Sequence, residues 1–412
     1  MRVALVSQEY PPETAHGGIA SQTYLKAHGL AELGHEVLVI SHSTDGERHT
    51  FHDRDVAVTR IPGAPPGLRT HTEVARWLAY SHQVAAELAT VHACTPFDLV
   101  DFPEFGAEGF VHLLNRTAWH GVPTLVQLHG PLVMLAHVLG WPERQSELYH
   151  VGTFMEATCL RLADAVYSSS RCSADWCVEY YGLEKVVPVL HMGVDTDLFA
   201  PRPAERDDRP TILFVGRIAP SKGVEVLLGA SLALARQLPD LRLRLVGFGE
   251  PRFLELLRDR AREAGFPRLL ELVGPLPTAS LPEEFCRADV FAAPSLYEGG
   301  PGLVYLEAMA CGLPVIACEG SGAAEVVWHD ENGRLVPPGD VASLERCLRS
   351  LFEDDEERRA LGYRARGYVL READTRLAVR RLASLYQEVL AGERRRLTHA
   401  AGAREDAEEE AV

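Results

Sequence analysis

Two stretches of this chain hold residue types that can grip a diphosphate and a polyol. The first is Phe214-Val-Gly-Arg-Ile-Ala-Pro-Ser-Lys-Gly223, which runs off the end of an apolar strand. Gly216 lets the backbone turn, Arg217 stands just past the strand end, and Lys222 follows at the start of a helix. A forked guanidinium, an ammonium and a helix N-terminus that converge at a strand end make a receptacle for a diphosphate. Lysine is scarce in this chain: of 41 Lys and Arg, only Lys26, Lys185 and Lys222 are Lys. That scarcity argues against a lysine standing here by accident.

The second stretch is Pro294-Ser-Leu-Tyr-Glu-Gly-Gly-Pro-Gly-Leu-Val-Tyr-Leu-Glu-Ala-Met-Ala-Cys-Gly-Leu-Pro314. A strand ends near Ala293, a Gly/Pro loop follows, and a helix starts near Gly302 and stops at Gly312, with Pro301 in its first turn. Free N–H groups from Gly302, Leu303, Val304 and Tyr305 would face whatever lies ahead of the helix, and Gly300 would let a ligand approach the loop. Glu298 and Glu307 bracket this end. Carboxylates accept hydrogen bonds from hydroxyls, which sugars and ribose supply. Glu307 sits in Val-Tyr-Leu-Glu-Ala-Met-Ala, an apolar setting unusual for a surface carboxylate.

Other positions are candidates of lower specificity. Gly17-Gly18 follows the first strand and opens a helix, which lets a backbone approach a phosphate. His129 ends the strand Thr124–Leu128 and precedes Gly130. Gly247-Phe248-Gly-Glu250 ends another strand and could face a base or a phosphate. It lacks the full Gly-x-Gly-x-x-Gly of a dinucleotide site. Asp-x-Asp occurs at Asp53/Asp55 and Asp195/Asp197, about as often as chance gives among 20 Asp, and both pairs are discounted as metal ligands. No His/Cys/Asp cluster has metal-ligand spacing. No metal and no cofactor is therefore expected.

These residues need strand ends to stand on, and the chain provides them by alternating short β-rich runs with helical stretches, the mark of parallel α/β sheets. Strands are expected at Arg2–Ser7, Glu36–Ser41, Leu99–Phe102, Thr124–Leu128, Ala165–Tyr167 and Val186–Leu190. A second series is expected at Thr211–Val215, Arg242–Val246, Leu269–Val273, Val290–Ala293, Val315–Ala317 and Arg334–Val336. Among the expected helices, one covers Ala107–Trp119. With 412 residues the chain is too long for one ordinary core. The proline-bearing stretch 200–210 reads as a linker. The expected division is an N-terminal domain 1–199, a C-terminal domain 211–375, a helix 376–391 and a disordered tail 392–412.

Composition excludes several classes. The net charge is −17, which argues against a nucleic-acid partner and weakens docking on anionic lipid. No run reaches the ~18 apolar residues of a membrane span. The first residues do not read as a signal peptide, and the eight cysteines form no Cys-x-x-Cys pair. A cytoplasmic location with reduced thiols is the expectation.

Taken together, the motifs resemble the retaining, nucleotide-sugar-dependent glycosyltransferases of family 4, the glycogen-synthase-like group with the GT-B fold. The matching stretches are Gly17-Gly18, Leu128-His129-Gly130, Gly193-Val-Asp-Thr-Asp-Leu-Phe199, Gly216-Arg-x-x-x-x-Lys-Gly223, Gly247-Phe-Gly249 and the block Glu298–Pro314. The resemblance implies two Rossmann-like parallel-sheet domains facing a central cleft. It implies that Arg217 and Lys222 hold the donor diphosphate, Glu307 the ribose and Glu298 the transferred sugar. His129 would contact that sugar from the N-terminal domain, Gly17-Gly18 would pack on the phosphates, and the helix Ala378–Leu390 would cross back to the first domain. The implied substrates are a nucleotide-sugar donor and a hydroxyl acceptor, which could be a sugar, a glycolipid or a small molecule. Two readings from other classes stay open: a sugar-nucleotide 2-epimerase on the same fold, and a non-catalytic binder.

The chain departs from the family pattern twice. Eight residues separate Glu298 from Glu307 where the pattern has seven, and Met192 stands where the pattern has Asn before Gly193. The extra residue falls in Gly299-Gly300-Pro301, and the expectation is a bulged loop that leaves Glu298 in place. The Gly193-Val-Asp run is expected to be a structural turn at the hinge between the domains.

Overall fold

The computed structural model describes residues 1–412 apart from 13, 15–17, 117–120, 184–186, 204–208 and 410–412, and of 393–409 the backbone alone. Contacts divide the chain into two units. One comprises Met1–Ser169, Ser173–Leu190 and Ala378–Val412, the other Ser170–Cys172 and His191–Leu377.

The first unit is built on seven strands: β1 (Arg2–Val6), β2 (Glu36–His42), β3 (His49–Asp53), β4 (Val56–Ile61), β5 (Leu99–Pro103), β6 (Thr124–Leu128) and β7 (Ala165–Ser168). Their order is β3-β4-β2-β1-β5-β6-β7, and every pair is parallel except β3 with β4. The inner parallel strands β1, β2 and β6 are largely apolar because both faces are covered, whereas the edge strand β3 is polar. Alternate residues divide accordingly. Ala4, Val6, Val100 and Phe102 enter one core, while Val3, Leu5, Leu99 and Leu125 enter another.

The second core also takes Val379, Leu382, Ala383 and Tyr386 from the last helix, Thr375–Glu409. Gly29, in the helix Gly18–Glu32, makes this packing close, since a Cβ there would lie 2.6 Å from Val379. A buried polar knot ties the same helix to the sheet. Lys26 Nζ donates to Asp101 Oδ2 at 2.9 Å and to Gln127 Oε1 at 2.8 Å. The hydroxyls of Tyr167 and Tyr386 each donate to the same Asp101 oxygen at 2.6 Å.

The second unit has six strands: β8 (Thr211–Val215), β9 (Arg242–Val246), β10 (Leu270–Gly274), β11 (Val290–Ala292), β12 (Val315–Cys318) and β13 (Arg334–Val336). All pairs are parallel, in the order β10-β9-β8-β11-β12-β13. Counted within the unit this is the doubly wound order 3-2-1-4-5-6. Such sheets bind ligands outside the carboxyl ends of the strands, where the order reverses. The reversal lies between β8 and β11, and the two chemistry-bearing stretches of the sequence follow these two strands.

Several expectations need correction. The boundary falls after Leu190 rather than at 199, because Val194 and Phe199 already pack in the second unit's core and Val194 bridges Asp374. Of the strand expected at Val186–Leu190, residue 186 lies outside the described residues and no strand forms over 187–190. Among its described residues there is one bridge, Ser168 to Val189, and Pro188 has no N–H to continue a ladder. The helix expected at Ala107–Trp119 is confined to Phe110–Leu114 among the described residues, since Gly106 and Ala107 both have positive φ. The last helix runs to Glu409, through the stretch expected to be disordered. Its Ala, Arg and Glu content favours helix even without an apolar period. The hairpin β3–β4 was not anticipated. Its two-residue turn is Arg54-Asp55, with Arg54 at φ 53°, and carries none of the Asn-Gly signal that marks such turns.

Candidate active site

In the second unit, the loops after β8 and β9 are joined by backbone hydrogen bonds. Gly216 N–H donates to the Val246 carbonyl and Ile218 N–H to the Phe248 carbonyl, at 3.0 and 2.7 Å. Gly247 has φ 139°, and a Cβ on it would lie 1.9 Å from the Gly216 carbonyl oxygen. Only glycine fits there. Beyond this contact Arg217 is exposed, and among the described residues it has no ion-pair or hydrogen-bond partner. Phe248 is 68% exposed, an aromatic face open to a planar ring.

Lys222 closes the short turn Pro220–Lys222 ahead of the helix Val224–Ala235. Gly223 caps that helix at φ 67°, and a Cβ on it would meet the Pro294 carbonyl oxygen at 1.8 Å. The β8 loop is thereby pressed onto the loop after β11. The result is a contact between residues 76 positions apart: Lys222 Nζ donates to Glu298 Oε1 at 2.7 Å. The Ser295 hydroxyl donates to the same oxygen at 2.7 Å. The extra residue before Glu307 does not displace Glu298 from Lys222.

The loop behind Glu298 is held by β12's exit. Gly322 N–H donates to the Glu298 carbonyl at 2.8 Å, and a Cβ on Gly322 would lie 2.5 Å from the Gly300 carbonyl oxygen. Pro301 is not in the first helical turn as expected. Gly302 caps the helix Leu303–Ala310 at φ 68°, a conformation open to glycine, and Pro301 precedes the cap. Among the described residues no side chain caps this helix, so the N–H groups of Leu303 and Val304 are left for another acceptor. Glu307 lies on the helix, half-buried, and burial pushes its carboxyl up to about 7.

Three of the expected site residues, Gly17, Gly18 and His129, belong to the first unit. Gly17 lies outside the described residues. Gly18 is exposed at the start of its helix, and nothing described lies within 4 Å of where a Cβ would stand. His129 follows β6. Burial, and secondarily the Lys26 charge, lower its pKa to about 3, so its imidazole is neutral at physiological pH. Its Nδ1 is buried without a partner among the described residues. The two Asp-x-Asp pairs are engaged in structure. Asp53 takes the Tyr10 hydroxyl at 3.0 Å, and Asp195 accepts the N–H groups of Asp197 and Leu198. Gly193 serves a close approach of backbone next to the Val194–Asp374 bridge: a Cβ on it would meet the backbone of Asp374 and Thr375 at 2.5 Å. Met192 beside it is buried.

Sequence reasoning missed the residues that hold these groups. Glu104, fully buried after β5, accepts the N–H groups of His129 and Gly130 on one oxygen, and burial pushes its carboxyl up to about 7. Glu108 accepts Gln8 N–H at 3.0 Å and is pushed up to about 8. Ser295 was passed over although Ser295-Leu-Tyr-Glu298 has the Ser-x-x-Glu spacing of a capping box. Here the two side chains bond each other instead.

Residues 195–368 match the family described as Glycosyl transferases group 1, and residues 16–198 match Glycosyltransferase Family 4. The GDP-mannose-dependent alpha-(1-6)-phosphatidylinositol monomannoside mannosyltransferase of Mycolicibacterium smegmatis is 32% identical over 66% of this chain and 76% of its own length. The glycogen synthase of Mycobacterium tuberculosis is 28% identical over 96% of each chain. Among solved structures, a sucrose-phosphate synthase from Thermosynechococcus elongatus superposes with a TM-score of 0.79 at 24% identity, covering 95% of this chain and 99% of the other. Anabaena HepE in complex with UDP and glucose gives 0.72 at 21% identity, covering 94% and 100%. These two share the fold of two parallel-sheet α/β domains.

Proposed function

This chain belongs to glycosyltransferase family 4, the nucleotide-sugar-using enzymes of GT-B fold, and from that premise we propose that it transfers a hexose to a hydroxyl acceptor with the anomeric configuration kept. The observation that carries the reading is the meeting of Lys222 and Glu298 at the switch point of the second sheet. A cation for phosphate and a carboxylate for hydroxyls stand side by side there, as a sugar diphosphate requires. Arg217, Lys222 and the N–H groups of Leu303 and Val304 hold the diphosphate. Glu307 takes the ribose, Glu298 the transferred sugar, and Phe248 offers its face to the base. Gly216, Gly247, Gly300 and Gly302 leave room for the loops around the diphosphate.

In this mechanism the anomeric carbon–oxygen bond to the diphosphate breaks as the acceptor oxygen bonds the same face. The acceptor proton passes to the departing phosphate oxygen. Negative charge grows on that phosphate in the transition state, so cations placed there accelerate the chemistry as well as the binding. Incubation with a panel of nucleotide sugars, with and without a hydroxyl acceptor, tests the reading. Acceptor-dependent release of nucleoside diphosphate, with the donor's anomeric configuration in the product, is expected. Altered free sugar or nucleotide released without acceptor would overturn it in favour of an epimerase.

The two glutamates separate by assay. Glu307→Gln is expected to weaken binding of bare nucleoside diphosphate about tenfold. Glu298→Gln should leave that binding intact and lower turnover of the sugar nucleotide. The pH sign follows from Glu307's raised pKa of about 7. Its ionised form is the better acceptor for ribose hydroxyls, so wild-type affinity should rise with pH through that value. The rise should be smaller in Glu307→Gln. Equal pH dependence in the two proteins would remove Glu307 from the ribose.

Divalent metal is not part of the proposal, because side-chain cations and helix amides already face the diphosphate. Initial rates are expected to survive exhaustive EDTA treatment. Complete loss, restored by Mg²⁺ or Mn²⁺, would contradict this.

A further inference from the structure

We infer that Ser295 is a positioning residue that commits one oxygen of Glu298 to the protein and so keeps the other for the donor sugar; this rests on the donor-site reading above. Ser295 is 1% exposed, so no ligand reaches it. Its hydroxyl donates to Glu298 Oε1 at 2.7 Å, and Lys222 donates to the same oxygen at the same distance. Glu298 Oε2 has no hydrogen-bond partner among the described residues.

The asymmetry has a physical consequence. A carboxylate has two equivalent oxygens and turns about its last bond with little resistance, while an ammonium alone can bridge both. With Lys222 as sole partner, Glu298 could rotate and present either oxygen or both to the ammonium. A second donor on Oε1 removes that freedom. The anchor is itself rigid. Ser295 N–H bonds the Ala293 carbonyl at 2.8 Å, and Leu296 N–H bonds the Ser221 carbonyl at 3.0 Å, next to Lys222. The buried Tyr305, on the helix that carries Glu307, donates its hydroxyl to the Ala293 carbonyl. Glu298 is thus oriented by the end of β11, and Lys222 keeps its remaining protons for the diphosphate.

Ser295→Ala removes the hydroxyl and little volume. Turnover of the sugar nucleotide is expected to fall roughly ten- to fiftyfold, the loss of one hydrogen bond to a charged group. The dissociation constant of bare nucleoside diphosphate should stay within about twofold, since that ligand does not use Glu298. The double variant Ser295→Ala/Glu298→Gln should be no slower than Glu298→Gln alone, because the hydroxyl acts only through the carboxylate. Ser295→Thr, which keeps a hydroxyl, should recover much of the lost turnover. Full activity of Ser295→Ala beside an impaired Glu298→Gln would overturn this inference and leave the donor site standing. A parallel loss of nucleoside diphosphate binding, or additive effects in the double variant, would also overturn it. Full activity of Glu298→Gln would instead bring down the donor-site reading itself.

Discussion

Lys222→Ala and Arg217→Ala are each expected to lower turnover by roughly two or more orders of magnitude, the loss of ~3 kcal/mol of charge stabilisation in the transition state. Both cations stand at the carboxyl ends of strands whose sheet is complete without them. Arg217 is exposed and makes no bond among the described residues, so its removal should leave folding untouched. Lys222 and Glu298 keep 27% and 16% of their side-chain surface exposed at the mouth of the loops, so water can partly replace a lost partner and the cost in stability stays small. Circular dichroism and melting temperature should therefore stay near wild type while steady-state rates collapse. The two variants differ in one respect. Loss of Lys222 also frees Glu298 from its cation, so Lys222→Arg should rescue poorly, because a planar fork cannot make the point contact of an ammonium. Near-normal turnover in soluble, folded Arg217→Ala and Lys222→Ala would refute the diphosphate clamp.

The other large effect concerns stability. Lys26→Met should destabilise the first unit by about 3–5 kcal/mol, the cost of leaving a buried charge without its partner. Asp101 is 1% exposed and Lys26 4%, and the ammonium is the cation on a carboxylate oxygen that also accepts two tyrosine hydroxyls. Since Tyr386 belongs to the last helix, its docking should loosen together with the sheet. Urea unfolding followed by tryptophan fluorescence measures the loss. Lys26→Met/Asp101→Asn, which removes both charges, should recover a large part of it. A change below about 1 kcal/mol in the single variant would mean that the tyrosines and Gln127 alone hold the aspartate.

The doubly wound core was legible because parallel strands buried on both faces leave apolar runs that nothing else explains. Thr211–Val215 carries that signal and is buried throughout, Arg242–Val246 alternates instead, and both strands stand at the expected bounds. Arg217 and Lys222 draw attention for the same reason, as cations in the loop that follows such a run. Elements whose reason lies in tertiary contact left no local trace. The hairpin β3–β4 is polar on its outer strand and turns through Arg54-Asp55. The boundary at Leu190 follows from where Val194 and Phe199 pack, which periodicity does not report. Buried positioning groups were the hardest to see. Glu104 and Ser295 read as loop residues until their partners, the His129 and Gly130 amides and the Glu298 carboxylate, are known. Glycines were read as permissive, whereas Gly223 and Gly247 are demanded by a carbonyl less than 2 Å from where a Cβ would stand.

The most direct test of the account is calorimetric titration of bare UDP, GDP, ADP and TDP into the wild-type protein, Arg217→Ala and Lys222→Ala. The account predicts that the wild type binds at least one of the four at a single site. A ligand at 100 times its dissociation constant should also stabilise the fold by ~2.7 kcal/mol. Each variant should lose that binding by about tenfold or more, as removal of a charged hydrogen-bond donor to phosphate requires. Binding of equal strength in all three proteins would contradict the claim that the loops after β8 and β11 form the donor site.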